Sequence, residues 1–416
     1  MKLHSHDGVG VENTLHHAVG PILMLSQFFG ILPVHGVWPS ANVLKVHFYW
    51  CSPFVLVTVF LICYSFFDLF ISGKVVMERG LKLYTAGPFS FSLICLIAYS
   101  VFLHLALHWP QLIKQTRQVE IVFLQKNYAN SESKRFSHRI RRYGILFLVG
   151  AIVEHMSYVG SAIYSNHLQI KHCNLTVSFW ENYFMREKWE IFSIISFHMW
   201  LIPLVEWITI AMTFTWNFVD IFLILICVGL AMRFNQLNWR VEQHLTQHMP
   251  SEFWADVRKD LMSLTELLQH MDDKLSGLML LSCSHNLYFI CVQVFNSFSS
   301  QSNFMNELYF WFSLIFVLTR ILTMLFSAAS VHDAASNILS TIYEIPTAYW
   351  CLELQRLNEI MASDMIAISG RQFFFITRRL IFAMAGTIVI YELVLIDKAD
   401  EVEFTNGGNL NSQAIE

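Results

Sequence analysis

Charge is what this chain has least of: only 14% of its 416 residues are Asp, Glu, Lys or Arg. A soluble enzyme of this length needs a polar shell, and 55% hydrophobic content with a positive mean hydropathy leaves too little for one. A formal net charge of -4 carries no basic excess, so nucleic acid is not an expected partner. Eighteen histidines include the pair His16-His17, yet there is no His-Glu-x-x-His and no paired Cys-x-x-Cys, so zinc chemistry has no ligand set. A Gly-rich phosphate loop is missing too, and with it any expected cofactor; no catalytic constellation marks an enzyme. Six of the eight cysteines (Cys51, Cys63, Cys95, Cys227, Cys283, Cys291) lie within hydrophobic runs and only Cys173 in a long polar loop, which implies no disulfide framework. The start, Met1 to Asp7, has no signal-peptide pattern, so the first span is expected to direct insertion. Internal repeats of the transporter kind are lacking as well.

Long hydrophobic runs fill the space these absences leave. A bilayer core of about 30 Å needs about 20 apolar residues in a helix. Runs of that length predict an all-α polytopic membrane protein with seven transmembrane helices near 47–71, 84–108, 143–165, 204–232, 278–300, 308–331 and 375–396. Lys and Arg concentrate on the cytoplasmic side of such proteins. Loops 114–142, 233–274 and 332–379 together hold 17 basic residues against six in the alternate loops, which places the N-terminus inside and the C-terminus outside. Asn174-Leu175-Thr176 is an N-glycosylation acceptor in the third loop and agrees with that orientation.

The expected organisation follows. Residues 1–46 form a cytoplasmic N-terminus in which Val19–Val34, broken by Gly20-Pro21 and Gly30, reads as an interfacial or re-entrant helix. Residues 47–331 carry spans one to six and an outer ligand pocket. Trp254, Val257, Leu261, Leu264 and Leu268 recur at near-helical spacing and predict an amphipathic cytoplasmic helix over 240–276; a similar pattern covers 338–371. With 332–374 as an anchor helix, inward extensions of the spans would bundle in the cytoplasm, while 375–398 forms the seventh span and 399–416 an extracellular polar tail.

Ionisable groups inside spans are costly and usually face protein or a water-filled cavity. Here they are Asp68, Glu154, His155, Glu206, Asp220, Arg320 and Glu392. On the predicted topology, Glu154, His155 and Tyr158 of the third span, Glu206 and Trp207 of the fourth, Gln293 and Asn296 of the fifth, and Tyr309, Trp311 and Arg320 of the sixth converge on a cavity that opens outward. Carboxylates, amides and aromatic rings suit a polyhydroxylated ligand, whose hydroxyls need donors and acceptors and whose C–H faces stack on rings. The competing reading pairs Arg320 with Glu206 or Glu154 to hold helices together and makes His155 an interhelical histidine. In the last span Thr387, Tyr391, Val394 and Lys398 share one stripe, and Ala383, Gly386, Ile390, Leu393 and Asp397 an adjoining one, a pattern that suits a pore-lining or close-packing face.

Three stretches resemble the insect gustatory receptor family, and within it the sugar-receptor clade. Gly386 to Ile396 (Gly-Thr-Ile-Val-Ile-Tyr-Glu-Leu-Val-Leu-Ile) is similar to the family's terminal Gly-Thr-Ile-Val-Thr-Tyr-Glu-Leu-Val-Leu-Ile-Gln-Phe. Thr213 to Asp220 with Gly229 to Phe234, and His17 to Pro21 with Gln27 to Gly30 and Pro33-Val34, also resemble it. The resemblance implies the insect chemoreceptor channel fold: a homotetrameric or heterotetrameric, sugar-gated, non-selective cation channel in the plasma membrane of sensory neurons. It further implies a pore lined by the last span, with the gate region at Val394, Asp397 and Lys398. There the chain departs from the pattern, with Ile390 for Thr, Asp397 for Gln and Lys398 for Phe. The competing functions are a seven-helix receptor coupled to G proteins and a secondary sugar transporter.

Overall fold

The computed structural model describes residues 13–38, 43–80, 83–129, 135–173, 178–297, 303–363, 365–387 and 389–390. Almost all of them are helical. In chain order the helices are α1 (Leu15–Phe28), α2 (Pro53–Arg79), α3 (Leu83–Phe123), α4 (Phe136–Cys173), α5 (Phe179–Glu187), α6 (Trp189–Phe192), α7 (Ile202–Glu242), α8 (Ser251–Ser297), α9 (Phe304–Tyr343) and α10 (Leu352–Ser363). Residues 378–387 and 389–390 are helical again. Among the described residues, α2, α3, α4, α7, α8 and α9 are long and apolar enough to cross a membrane. They carry the first six predicted spans. The seventh is helical where it is described, and Tyr391, Val394, Asp397 and Lys398 lie outside the described residues, as do Asn174 and the side chain of Asn296.

Five helices outrun their predicted spans, among them α4, whose 38 residues pass the span 143–165 at both ends. At 1.5 Å per residue, the 41, 41 and 40 residues of α3, α7 and α9 reach roughly 60 Å and the 47 of α8 roughly 70 Å, about twice the hydrocarbon thickness. The amphipathic stretch predicted as a separate helix over 240–276 is instead mostly the first half of α8, after a break at 243–250. Hydropathy marks where a helix meets lipid, whereas Trp254, Val257, Leu261, Leu264 and Leu268 are buried against protein and carry the helix on through polar sequence.

Burial sorts the spans. The apolar stretch of α7 is 89% buried and that of α4 only 6%, so α7 is the central post and α4 a peripheral helix whose exposed Ile145, Leu146, Val149, Ile152 and Met156 need lipid. α7 packs against α9, α4, α8, α3 and α1. Close approach is set by glycine where it counts: a Cβ on Gly144 would lie 2.2 Å from Ile22 Cδ1 of α1, and one on Gly150 would lie 2.4 Å from the Phe316 ring of α9.

α1 is buried rather than laid on a surface. Ala18 and Val19 are fully covered, and the helix runs along α7 from Gly229, against Leu15, to Phe214, which stacks on Phe29. At Gly30 (φ +72°) the chain turns back along the start of α2, where Thr58 Oγ1 donates to the Gly30 carbonyl (2.7 Å) and His35 Nε2 meets Ser52 Oγ (2.8 Å). Pro21 inside α1 has no N–H for the His17 carbonyl. Arg141 Nη2 fills that place at 2.8 Å.

The two ends of the bundle differ. One carries α5 and α6; the other carries α10, the first half of α8 and all three basic-rich connections. At the α10 end, buried Glu120 of α3 accepts from the free Leu15 amide that opens α1 (3.0 Å) and pairs with Arg233 of α7 (2.7 Å), so one carboxylate serves as helix cap and ion-pair partner. Arg240 joins Asp260 (3.1 Å) and the Tyr128 hydroxyl (2.7 Å), and Arg258 joins Glu353 of α10 (2.9 Å).

Mid-bundle, α7, α8 and α9 meet in a polar knot. Arg320 Nε donates to Asp220 Oδ2 (2.7 Å), Nη2 to Asn286 Oδ1 (3.3 Å) and Nη1 to Asn217 Oδ1; Asn286 Nδ2 donates to both Asp220 oxygens at 3.0 Å, and Ser282 Oγ donates to one. Asp220 is 0% and Arg320 1% exposed. Removing one partner of such a pair leaves an uncompensated buried charge and costs about 3–5 kcal/mol. Asp220→Ala is therefore expected to lower the melting temperature and surface amount sharply, with Asp220→Asn/Arg320→Met recovering part of both; fluorescence-detected size exclusion on heated samples checks this, and equal loss in the single and double variants would count against it.

Candidate ligand site

On α4, Glu154, Tyr158, Ser161 and Ser165 follow at steps of four, three and four and so share one stripe. Opposite them on α9 stand Asn306, Tyr309 and Ser313, and the close contact at Gly150 holds the two helices together. Glu154 accepts from Ser313 Oγ (3.1 Å) and the Tyr309 hydroxyl (3.4 Å), while Gln293 Nε2 of α8 reaches Ser313 Oγ (3.3 Å). Gln293 Oε1 is buried with no hydrogen-bond partner, an acceptor open to a donor. Further along the seam, Ser161 and Ser165 both donate to Asn306 Oδ1 (2.6 and 3.0 Å). The Tyr158 and Tyr309 rings lie 5.7 Å apart.

α5 and α6 cover this seam. Asn166 of α4 donates to the Phe179 carbonyl (3.2 Å) and accepts from Asn182 (2.7 Å), which docks α5. Tyr183, Phe184, Ile191 and Phe192 bury against Ala162 and Val205 in a small core separate from the main one. Glu187 then lies over the seam: it accepts from the Tyr158 hydroxyl (2.8 Å) and from Arg186 (2.9 Å). Lys188 stands within electrostatic reach of Glu206, Glu187, Glu190 and Asp68; burial lowers its ammonium's pKa, and the four carboxylates oppose the shift. Burial pushes Glu190 up to about 7, with the Asp68 charge adding to it, and raises the Tyr183 phenol to about 12, helped by Glu206 and Glu187. A cleft of about 670 Å³ opens between α4, α5 and α9, walled by Tyr164, Phe179, Tyr309 and Phe312 with Ser157, Ser161 and His167. Ile163, Met305 and Leu308 complete a mostly apolar lining, and the carboxylates and the ammonium lie beside the cleft rather than in its wall.

Of the residues expected to converge, Glu154, Tyr158, Tyr309 and Gln293 do, and Glu206 joins through Lys188. His155 lies beside Tyr158 (rings 6.4 Å apart) but also lines a mostly apolar cavity of about 270 Å³ between α1, α4 and α7. Three depart from the expectation. Arg320 is sealed in the Asp220 knot, and neither Glu206 nor Glu154 is its hydrogen-bonded partner; an arginine at that depth goes to the carboxylate its own turn of helix faces. Trp207 stacks toward Phe60 of α2 (6.4 Å), and Trp311, 47% exposed, points away from the bundle beside Phe310. Sequence reasoning missed Ser313, Ser161 and Asn306, although the helical step from Glu154 and Tyr309 marks them. It also missed Glu187, Lys188 and Glu190, which read only as loop charge.

A family model described as Trehalose receptor matches residues 6–406. Among curated proteins of Drosophila melanogaster, the chain is 32% identical over 388 residues to "Gustatory receptor for sugar taste 64b", covering 92% of this chain and 95% of that one. It is also 32% identical over 392 residues to "Gustatory receptor 5a for trehalose", covering 94% and 85%. Among solved structures, the insect olfactory receptor OR5 of Machilis hrabei superposes with a TM-score of 0.67 at 14% identity, covering 91% of this chain and 96% of that one. The same receptor in complex with eugenol gives 0.68 at 14% identity, covering 91% and 97%. The fold is thus that of an insect chemoreceptor.

Because folding raises the pKa of Glu190, its contribution to stability is fully present below the ordinary carboxylate range near 4.5 and is lost as pH rises through about 7. The melting temperature of the purified protein is expected to fall across that window and to fall less in Glu190→Gln; identical pH profiles for the two would show that Glu190 keeps an ordinary pKa.

Proposed function

Because the chain belongs to the trehalose receptor family of gustatory receptors, we propose that it is a sugar receptor whose binding seam opens a cation pore built from four subunits. It is a multi-span protein of the plasma membrane of sensory neurons. In this reading the α5–α6 end faces outward and the α10 end, with its 17 basic residues, faces the cytoplasm. Residues 332–374 are then part of the cytoplasmic anchor, 375–398 the pore segment and 399–416 an external tail. The relatives' names supply the ligand class, sugar, and the seam supplies groups that suit it.

The observation that carries the channel reading is the last helix. Residues 382, 383, 385–387, 389 and 390 are exposed, Phe382 by 72% and Ile390 by 65%, and a Cβ on Gly386 would meet nothing within 4 Å. An apolar helix left uncovered by its own chain needs other copies or lipid to cover it, and four around an axis would enclose a path. Thr387 turns its hydroxyl back to the Ala383 carbonyl (2.9 Å), which leaves a smooth wall. Sugar bridging Glu154, Gln293 and Glu187 would draw α4, α8 and α5 together, and α8 and α9 would pass the shift to the final helix.

Expressed in cells without other taste receptors, the chain is expected to give sugar-evoked cation currents. A hydrogen bond to a charged group is worth about 1.5–3 kcal/mol, so Glu154→Gln should raise the half-maximal sugar concentration roughly tenfold or more. Tyr309→Phe should do less, and Arg320→Gln should lower surface amount without a matching change in potency. Full surface expression with no current across a sugar panel would overturn the self-sufficient channel, and a C-terminal epitope reached only after permeabilisation would overturn the orientation.

A further inference from the structure

Residues 368–376 form a small hairpin between α10 and the last helix. It is pinned by the Ser369–Phe375 bridge, by Ile376 N to the Ile368 carbonyl (2.8 Å) and by Gly370 N to the Phe374 carbonyl (2.9 Å). Asp272 of α8 clamps its base, accepting from Ser369 N (2.7 Å) and Ser369 Oγ (2.6 Å). Its tip is Arg371-Gln372 with φ of +53° and +61°. Two consecutive left-handed residues are a turn that ordinarily selects Asn-Gly, so an arginine held there points to a use for its side chain.

That side chain is placed with care. The Arg371 guanidinium lies over Gly277 of α8, its Nε only 3.3 Å from where a Cβ would be, so the missing side chain is its seat. Lys274 lies three residues earlier on the same face of α8. His104 and His108 of α3, rings 4.7 Å apart, complete the group, and His104 is within electrostatic reach of both Lys274 and Arg371. Among the described residues neither Arg371 nor Lys274 has an acid within salt-bridge distance; Asp272 is taken by Ser369, and exposed Asp273 lines the cleft on the Gln372 and Phe375 side of the hairpin. Phe373 at the same tip is 80% exposed.

Depth gives these features a meaning. His104 and His108 close the predicted span 84–108, and Gly277 adjoins the start of the span 278–300, so the cluster sits where hydrocarbon meets headgroups. Cations at that level with an aromatic ring beside them match a phosphate and its acyl chain. We propose that the Arg371 hairpin, Lys274 and the His104–His108 pair bind the phosphate headgroup of an anionic membrane lipid at the α10 end. The hairpin leads directly into the last helix, so an occupied site fixes the angle at which that helix leaves α10.

The test uses the full chain purified in detergent, with short-chain phosphatidylinositol bisphosphate, phosphatidylserine, phosphatidylcholine and soluble inositol trisphosphate as probes and native mass spectrometry as readout. The anionic lipids are expected to stay bound against excess phosphatidylcholine. Arg371→Gln and Lys274→Gln should each weaken them roughly fivefold, the value of about one surface cation. Phe373→Ser should weaken the lipids as well, while Lys259→Gln, on the polar half of α8, should leave them unchanged. All these positions are half-buried or exposed, and a normal size-exclusion peak confirms folding. The proposal is overturned if Arg371→Gln and Lys274→Gln both hold lipid as the native chain does, or if soluble inositol trisphosphate displaces the lipid fully at equal concentration, which makes the ligand a free phosphate. A change in oligomer mass without a change in lipid count would overturn it too, since the hairpin would then pack on another copy.

Discussion

A buried arginine in a membrane protein has to be answered on all sides, and Arg320 dictates much of this fold. Its guanidinium takes Asp220, Asn217 and Asn286, while Asn286 and Ser282 complete the Asp220 carboxylate, so three consecutive long helices are fixed in depth and rotation at one point. Between apolar helices in lipid, dispersion contacts alone tolerate sliding; hydrogen bonds of defined geometry do not. Both flanking features follow. Toward α10 the helices run on for several turns, and toward α5 polar groups of α4, α8 and α9 meet.

The candidate site inherits its precision from that knot. Glu154 is peripheral, on the helix least covered by protein, yet Ser313 and Tyr309 hold it from α9 about two and three turns from Arg320. Gly150 brings α4 close enough for those bonds to form. Rigid groups from α8 and α9 thus meet less constrained ones from α4, α5 and α6. Such an arrangement lets a ligand change the second set relative to the first, which is the requirement for signalling through a bundle that stays assembled.

Much of this was legible in the sequence. The first six spans, the split of basic loops and the polar residues at Glu154, Tyr158, Gln293 and Tyr309 all follow from helical period and the cost of charge in lipid. Helix ends were not, because hydropathy falls where Trp254 and Leu261 exchange lipid for protein without the helix ending. Partner choice was not either: Arg320 was matched with Glu206 or Glu154, whereas it meets Asp220, and which acid of α7 it faces depends on the rotation of that helix about its axis, a tertiary quantity. Lys188 and Glu190 read as loop charges because nothing local shows that a four-residue helix will fold them inward.

The cover has its own small core, with Tyr183, Phe184, Ile191 and Phe192 packed on Ala162 and Val205 and apart from the main core. Protein families diversify most readily where a change does not propagate. On the proposed reading, substitutions in this cap would alter which stereochemistry of hydroxyls is welcomed while the knot and the long helices are left untouched. On that reading taste range and assembly become separable traits, and lineages facing different diets could revise the first without risking the second.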